Sequence, residues 1–281
     1  MLELRDLTYR IREKALVEGV GLALHPGEVV AAVGANGAGK TTLLRLLSGE
    51  LTPTSGSVHL DGRPLADVDP ERLARRRAVL PQQSALTFSF SSVDVVRLGR
   101  TPHATTGATD LDIARAAMEA AGVAHLAAQR YPTLSGGEQQ RVHLARTLAQ
   151  IWEADSDSDS GRYLLLDEPT ASLDLAHQHA VLRIARQCAQ AGFGVLAVLH
   201  DLNLAAQYAD RIAVLRRGRL MAEGTPAGVL TAETIYDAFD IAVLIAEHPR
   251  VDCPLVVPIP EHDAASPAPS PDATRQAAAL S

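Results

Sequence analysis

The sequence predicts an α/β fold built around a mainly parallel sheet. Short apolar runs rich in β-branched residues alternate with longer stretches of helical spacing that are rich in Ala, Leu and Arg. One apolar run leads directly into a glycine-rich loop and then into a helical stretch, which is the local order of a parallel α/β unit. The 281 residues, 47% of them hydrophobic, can bury one full core and a second small subdomain.

The strands are predicted where short apolar runs lie between turn residues. In chain order we expect them at residues 2–7, 28–33, 57–60, 78–80, 163–167, 194–199 and 211–216.

The helices are predicted where apolar residues recur with a period near 3.6. In chain order we expect them at residues 41–48, 70–75, 92–98, 111–121, 136–151, 175–191 and 202–208. The stretch from about residue 84 to residue 151 is almost wholly helical in pattern and interrupts the series of strands. It therefore predicts an inserted helical subdomain.

Composition argues against several classes of protein. The apolar runs are much shorter than the roughly 20 residues of a membrane span, and the N-terminus lacks the pattern of a signal peptide. A formal net charge of −7 argues against a protein whose main task is to bind nucleic acid. Cys188 and Cys253 fit no disulfide or metal spacing. We therefore expect a globular protein of the reducing cytosol.

Two segments have low complexity. Residues 155–161 form an acidic, serine-rich run, for which we expect a solvated surface loop rather than a metal site. The tail from residue 261 onward is too poor in large apolar residues to fold alone, and we expect it to be disordered.

Lysine is scarce in this chain. Arginine supplies all but two of the 26 basic residues, and the two lysines are Lys14 and Lys40. A lysine in so arginine-rich a composition suggests a specific role.

The glycine-rich segment matches the phosphate-binding pattern G-x-x-x-x-G-K-[ST] in full, after an apolar strand and before a helix. Its glycines let the backbone turn and point N–H groups at a phosphate, at the positive end of the helix. Lys40 is expected to neutralise the charge of the β- and γ-phosphates, and the Thr41 hydroxyl to bind Mg²⁺. The predicted nucleotide-binding residues here are Gly34, Asn36, Gly37, Ala38, Gly39, Lys40, Thr41 and Thr42.

A second apolar strand, at 163–167, ends in two carboxylates. A buried strand would deliver Asp167 to the metal beside the phosphates, and Glu168 could then face the γ-phosphate and orient a water molecule. Together with the glycine-rich loop, this pair predicts a nucleoside triphosphatase.

A third segment, Leu-Ser-Gly-Gly-Glu-Gln-Gln-Arg at 134–141, opens a predicted helix with Ser135, Gly136 and Gly137. A helix N-terminus of this composition is a second anion-binding site. One γ-phosphate is not easily reached by both loops of the same subunit. The segment therefore predicts two subunits arranged head to tail, each completing the site of the other.

On these three segments, the sequence resembles the ATP-binding cassette (ABC) ATPases over about residues 1–240. The resemblance implies a single ABC ATPase domain over 1–246, with an N-terminal antiparallel β part, a helical insertion at 84–151 and a C-terminal extension at 247–281. It also implies ATP and Mg²⁺ as cofactors.

The resemblance assigns roles to further residues. Gln82 is similar to the glutamine that contacts Mg²⁺, the attacking water and the membrane partner, and Gln83 beside it leaves the register open by one residue. His200 is similar to the histidine that senses the γ-phosphate. The segment 172–174, which ends in Asp174, is similar to the loop that couples the two sites of the dimer. Tyr9 is a candidate for the ring that stacks on adenine, with strand packing as the alternative.

The implied catalytic set is thus Glu168, His200 and Gln82, and the implied metal-binding set is Thr41, Gln82 and Asp167. Tyr9 and Asp174 join the nucleotide-binding residues, as do Ser135, Gly136 and Gly137. The implied partners are a second ATPase subunit, two transmembrane permease subunits and a periplasmic solute-binding protein, with no nucleic acid. The implied location is the cytoplasmic face of the bacterial inner membrane.

Finer resemblance bears on the cargo. The segments 173–178, 200–210 and 223–226 are similar to ATPases of importers for ferric siderophores, haem and vitamin B12, and the segments 80–91 and 99–103 are most similar to the haemin importers. We therefore expect a haemin importer subunit, with a ferric-siderophore or vitamin B12 importer as the main alternative. A soluble ABC ATPase acting on nucleic acid is a more remote one.

Overall fold

The computed structural model describes residues 1–82, 89–153, 161–171 and 173–260. Within them, the strands are β1 (Leu2–Ile11), β2 (Lys14–Leu24), β3 (Val29–Val33), β4 (Ser55–Leu60), β5 (Arg63–Pro64), β6 (Arg77–Leu80), β7 (Arg162–Asp167), β8 (Phe193–Val198), β9 (Arg211–Arg216), β10 (Arg219–Gly224), β11 (Val243–Glu247) and β12 (Pro254–Pro258).

The helices of the same ranges alternate with these strands for most of the chain. They are α1 (Lys40–Leu47), α2 (Pro70–Arg76), α3 (Ser92–Arg97), α4 (Gly107–Ala120), α5 (Gly136–Gln150), α6 (Leu175–Gln190), α7 (Leu202–Tyr208), α8 (Pro226–Val229) and α9 (Ala232–Phe239). None of the helices described here is long and apolar enough to cross a membrane.

The central sheet has the order β10-β9-β3-β8-β7-β6. The pairs of β3 with β8 and β9, and of β7 with β6 and β8, are parallel, and only the edge strand β10 is antiparallel. This sheet confirms the predicted α/β class. Because the central strands are parallel, the loops that follow β3, β6, β7 and β8 meet at one edge of the sheet.

Both faces of the central sheet are buried, which is why its strands read as continuous apolar runs. On β3, Val30 and Ala32 face the core shared with α1 and the N-terminal sheet. The alternate residues Val29, Ala31 and Val33 face the core shared with the helical subdomain and α6. The sheet therefore holds the two halves of the domain together.

A separate antiparallel sheet has the order β2-β1-β4-β5, as the N-terminal antiparallel part implied. The strand β2 was not among the strands predicted from the sequence. Its residues include Gly19, Gly21 and the charged Glu18, which break the apolar pattern, and its stability comes from pairing with β1 rather than from intrinsic strand propensity.

The helical subdomain lies between β6 and β7, as predicted. It contains α3, α4 and α5, and its apolar side chains continue the core on one face of the central sheet. Helix α4 begins at Gly107, earlier than the predicted residue 111, because the Thr106 side chain caps it by accepting from the backbone N–H of Thr109.

The C-terminal part forms a hairpin of β11 and β12, which the sequence did not predict. The predicted boundary between domain and C-terminal extension, at residues 246 and 247, falls inside β11. The Asn203 side chain on α7 donates to the carbonyl of Val256 at 3.1 Å and accepts from its N–H at 2.7 Å. The hairpin is thereby attached to the body of the domain. Residues 155–160 of the loop predicted at 155–161, and the tail from residue 261, lie outside the described residues.

Candidate functional site

The glycine-rich loop joins β3 to α1 at the edge of the sheet where the parallel strands end. Gly34, Gly37 and Gly39 have φ values of 153°, 76° and 104°, a region that glycine occupies at low cost. A Cβ atom on Gly34 would lie 2.2 Å from the carbonyl oxygen of Leu215, and one on Gly39 would lie 2.6 Å from that of Leu16. The loop is therefore pressed between β9 and β2, and larger residues would displace it.

Lys40 is the first residue of α1 and is 5% exposed. Its ammonium group donates to the carbonyl oxygens of Gly34 at 2.8 Å and Ala35 at 3.1 Å. Burial lowers the pKa of this ammonium group, while the nearby carboxylates of Glu168 and Asp167 oppose that shift. The loop thus holds a cation at its centre, where a bound phosphate would be a stronger partner than the two carbonyls.

Thr41 and Asp167 meet at the base of the loop. The Thr41 hydroxyl donates to Oδ1 of Asp167 at 3.0 Å, and Asp167 is 6% exposed at the end of β7. Burial raises the pKa of the Asp167 carboxyl, an effect that the hydrogen bond from Thr41 partly offsets.

A hydroxyl and a carboxylate supply the oxygen ligands that Mg²⁺ prefers. Within the described part of the chain, no group of three or more His, Cys, Asp or Glu side chains could hold a metal ion. The pair therefore fits a magnesium ion that takes its other ligands from water and from the phosphates of a nucleotide.

The three predicted catalytic residues converge on one carboxylate. Oε2 of Glu168 accepts from the Gln82 amide at 2.5 Å, and Oε1 lies 2.7 Å from Nε2 of His200. The three residues follow β6, β7 and β8, which are neighbours in the sheet, so the parallel order brings them together. Gln83, the alternative to Gln82, lies outside the described residues.

A cavity of about 220 Å³ opens above the glycine-rich loop. It is lined by most of the predicted phosphate-binding residues and by two of the predicted catalytic residues. Two residues of β2 that were not assigned to the site also line it. The lining residues are Lys14, Leu16, Asn36, Gly37, Ala38, Gly39, Lys40, Thr41, Thr42, Glu168 and His200. In the sequence, the scarcity of lysine was the signal that pointed to Lys14. No signal in the sequence pointed to Leu16.

Ser135 lies apart from this cavity, at the exposed N-terminus of α5. Its hydroxyl accepts from the N–H of Glu138, and the Glu138 carboxylate accepts from the Ser135 N–H at 2.8 Å. This capping box fixes the start of the helix. Gly136 and Gly137 form the first turn, and none of the three residues lines the cavity above the glycine-rich loop.

Asp174 also lies outside the cavity, at the N-terminus of α6. Its carboxylate accepts from the N–H of His177 at 2.9 Å, and this hydrogen bond lowers the pKa of the Asp174 carboxyl. The preceding Leu173 packs close to Gly137, where a Cβ atom would meet it at 3.3 Å. The two segments that the sequence assigned to the partner's site are thus neighbours. Ser172 lies outside the described residues.

Tyr9 is half-buried on β1, where it packs against the core of the N-terminal sheet. It pairs with Val17 across the β1–β2 ladder and does not line the cavity. The packing alternative is therefore observed in this chain, and stacking on adenine stays a prediction.

The chain is similar to known proteins over most of its length. A family model described as ABC transporter matches residues 17–171, more than half of the chain. A hemin import ATP-binding protein of Gloeobacter violaceus is 57% identical over 261 residues, which cover 92% of this chain and 94% of that protein. A protein of the same description from Deinococcus radiodurans is 50% identical over 91% of this chain and 96% of its own length.

Solved structures agree with the fold. A metal-chelate type ABC transporter in an inward-facing conformation superposes with a TM-score of 0.77 and 26% identity, over 93% of this chain and 98% of that one. A dimeric bacterial ABC transporter cassette superposes with a TM-score of 0.68 and 26% identity, over 80% of this chain and 98% of that one.

Proposed function

Because the chain belongs to the ABC transporter family and is one of its ATPases, we propose that it couples ATP hydrolysis to the import of haemin. The observation that carries this proposal is the 57% identity, over 92% of the chain, to a hemin import ATP-binding protein. The arrangement of the residues around the glycine-rich loop supports the ATPase part independently.

In this proposal the glycine-rich loop holds the phosphates of ATP. Lys40 would exchange its two carbonyl partners for phosphate oxygens, and the N–H groups at the start of α1 would complete the cradle. Thr41 and Asp167 would hold Mg²⁺ together with Gln82, the third residue that the resemblance assigns to the metal, which here donates to Glu168. The ion would neutralise charge on the phosphates.

Glu168 is proposed as the residue that orients and deprotonates the attacking water. Its two oxygens lie against Gln82 and His200, so the carboxylate is held between an amide and an imidazole. A carboxylate oriented in this way can accept a proton in the transition state. His200 is proposed to sense the γ-phosphate, since it lines the cavity and contacts Glu168.

The site is proposed to be completed by a second copy of the chain. Ser135, Gly136, Gly137 and Asp174 lie outside the cavity, yet the resemblance assigns them to nucleotide binding. In a head-to-tail homodimer, the N-terminus of α5 in one copy would face the glycine-rich loop of the other. ATP bound to both copies would then stabilise the closed dimer selectively, and hydrolysis would release it.

The dimer is proposed to act on two transmembrane permease subunits at the cytoplasmic face of a bacterial inner membrane, supplied by a periplasmic solute-binding protein. In this proposal a separate permease provides the path for the cargo, as the similarity to hemin import ATP-binding proteins implies. Closure and opening would reach it through the segment around Gln82 and the helical subdomain.

The alternative cargo within the same class is a metal chelate such as a ferric siderophore. One observation favours it, the structural match to a metal-chelate type ABC transporter, but the identity there is 26%. The relatives described as hemin import proteins are 57% and 50% identical, so haemin is the better supported cargo.

The test is uptake by proteoliposomes that contain this chain and the permease encoded beside it. We expect ATP-dependent uptake of haemin in preference to a ferric siderophore or cobalamin. Proteoliposomes that contain the Glu168→Gln variant with the same permease are the control for uptake without hydrolysis. Preferential uptake of another cargo would retain the ATPase mechanism and reject haemin, and failure to assemble with the permease would reject the importer role.

A further inference from the structure

The cavity above the glycine-rich loop contains a second lysine that neither the motif nor the resemblance assigns. Lys14 is the first residue of β2, far from Lys40 in the sequence, and both residues line this cavity. They are the only two lysines in a chain with 26 basic residues. Both lysine residues of the protein thus lie at one site.

The backbone of β2 explains why Lys14 reaches the cavity. Lys14 and Leu16 both line the cavity, and the β1–β2 ladder shifts its register between Ala15 and Val17, so the strict alternation of a strand is interrupted beside them. Val17, the next residue of the strand, is fully buried in the N-terminal core. The strand is therefore held by its buried face while Lys14 is presented toward the loop.

The position of β2 relative to the loop is tightly determined. The carbonyl oxygen of Leu16 would lie 2.6 Å from a Cβ atom on Gly39 and 2.7 Å from one on Gly218, so only glycine permits this approach at both places. Gly218 also donates to the carbonyl of Ala38 at 2.9 Å and accepts from the N–H of Glu18 at 2.8 Å. These contacts connect β2 to the glycine-rich loop through the turn after β9.

The charge of Lys14 is not paired within the described part of the chain. Among the residues that the structure describes, no carboxylate forms an ion pair with its ammonium group, and its side chain is exposed. Arg219 and Arg10, other cations near the same sheet, contact Glu18 and the carbonyl of Glu13 respectively. Lys14 is therefore a cation at the rim of the cavity with its donors available.

We propose that Lys14 is a second cationic contact, besides Lys40, for the phosphate chain of the nucleotide. The proposal rests on the binding of ATP at the glycine-rich loop. An ammonium group is a compact point charge with three donors, which suits phosphate oxygens better than the neutral adenine or ribose. Its contribution would add to affinity for charged nucleotides and would not alter the position of Glu168.

The experiment compares the binding of a non-hydrolysable ATP analogue and of adenosine to the full chain by calorimetry. In Lys14→Met we expect affinity for the analogue to fall about fivefold at low ionic strength, as for one exposed charge contact. Affinity for adenosine is expected to stay unchanged, and Lys14→Arg is expected to recover most of the loss. Salt near 1 M should remove the difference, because the screening length there is about 3 Å.

Arg12→Met is the matched control. Arg12 is an exposed cation at the turn between β1 and β2, its loss changes the net charge equally, and it does not line the cavity. An equal loss in Arg12→Met, an equal loss for adenosine, or no loss in Lys14→Met would each overturn the proposal. Failure of the parent chain to bind the analogue would instead reject ATP binding at this loop, so the two hypotheses are tested separately.

Discussion

Glu168 is held in an uncommon backbone conformation at the centre of the candidate site. Its φ of 49° lies in the left-handed region, which costs a non-glycine residue on the order of 1–2 kcal/mol. The carboxylate is 15% exposed and contacts Gln82 and His200 on either side. Because residues that follow three different strands converge there, the surrounding sheet can maintain this conformation and the orientation of the carboxylate.

The first prediction for a single residue concerns the Glu168→Gln variant. The variant keeps the shape and the contact with Gln82 but loses the proton acceptor, so ATP hydrolysis should fall by about 10²- to 10⁴-fold while ATP affinity changes little. Phosphate release and ATP binding measured on the same preparation check this. Glu233→Gln, on the exposed face of α9, is the control. Hydrolysis at the parent rate would show that Glu168 is not the base.

The second prediction concerns Asp167→Asn. Burial raises the pKa of this carboxyl, so the folded chain binds the proton more tightly than the unfolded chain, and ionisation at neutral pH opposes folding. Asparagine removes the charge and can still accept from Thr41. We expect the nucleotide-free variant to be about 1 kcal/mol more stable at pH 7, and its affinity for ATP with Mg²⁺ to be lower.

Urea unfolding at pH 7 and at mildly acid pH measures this effect. The stability gain should shrink as the pH falls through the raised pKa, because the parent carboxyl then becomes protonated as well. Asp237→Asn on the exposed surface of α9 should show no such gain. If Asp167→Asn is less stable than the parent at pH 7, the ionised Asp167 carboxylate does not lower the stability of the folded chain, and the prediction is wrong.

At the scale of elements, the helix that follows His200 is attached to the C-terminal hairpin. Asn203, in the first turn of α7, makes two hydrogen bonds with the backbone of Val256 on β12. Asp201 caps the same helix by accepting from the N–H groups of Asn203 and Leu204. The start of α7, and with it the segment that contains His200, is therefore fixed by a local cap and by the C-terminal hairpin.

The prediction for this contact is that Asn203→Ala lowers the free energy of unfolding by about 1–3 kcal/mol, because two half-buried backbone groups lose their partner. Gln207→Ala is the control, since Gln207 lies on the same helix and its side chain makes no hydrogen bond among the residues described. Chemical denaturation of both variants measures the difference. Equal stability of the two would mean that the hairpin is held by apolar packing alone.

A further prediction concerns the N-terminus of α5. Ser135→Arg removes the cap and places a large cation where the partner's nucleotide is proposed to lie, so ATP hydrolysis should be abolished while the isolated chain still binds ATP. Thr106→Arg is the control, since Thr106 caps α4 in the same subdomain and its loss costs a similar ~1 kcal/mol. Loss of ATP binding by isolated Ser135→Arg would contradict a site shared between two copies.

In the whole molecule, the residues assigned to nucleotide binding lie in two separate places. The cavity above the glycine-rich loop is lined by most of the predicted phosphate-binding residues and by Glu168 and His200, while Ser135 and Asp174 lie at helix N-termini outside it. If hydrolysis needs both halves, it needs two chains. The dimeric arrangement of the structurally similar ABC transporter cassette is consistent with this expectation.

The corresponding prediction is that ATPase activity per chain rises with chain concentration and then saturates. In Glu168→Gln, ATP should convert monomer to a stable dimer, because each nucleotide bridges both copies and is not consumed. Sedimentation of Glu168→Gln with ATP, and with ADP as the control, measures this. Activity per chain that is independent of concentration, together with a monomer in ATP, would contradict the shared site.

The sequence alone determined the fold class and most of the chemistry. Apolar runs mark strands buried on both faces, and the loop at 34–41 and the carboxylates Asp167 and Glu168 are motifs whose spacing and local order already imply their function. Such motifs are readable because the chemistry requires particular residue types within a few positions of each other. The cargo was inferred from resemblance, since no residue of this chain that contacts it could be identified from the sequence.

Tertiary structure decided what depends on contacts between distant segments. It brought Gln82 and His200 to Glu168, added Lys14 to the cavity through β2, and attached the hairpin of β11 and β12 to Asn203. Strand β2 was missed because its glycines and charges hide the pattern, and it is stabilised by pairing with β1. Residues that act through such pairings leave little local signal, because their partners lie far away in the sequence.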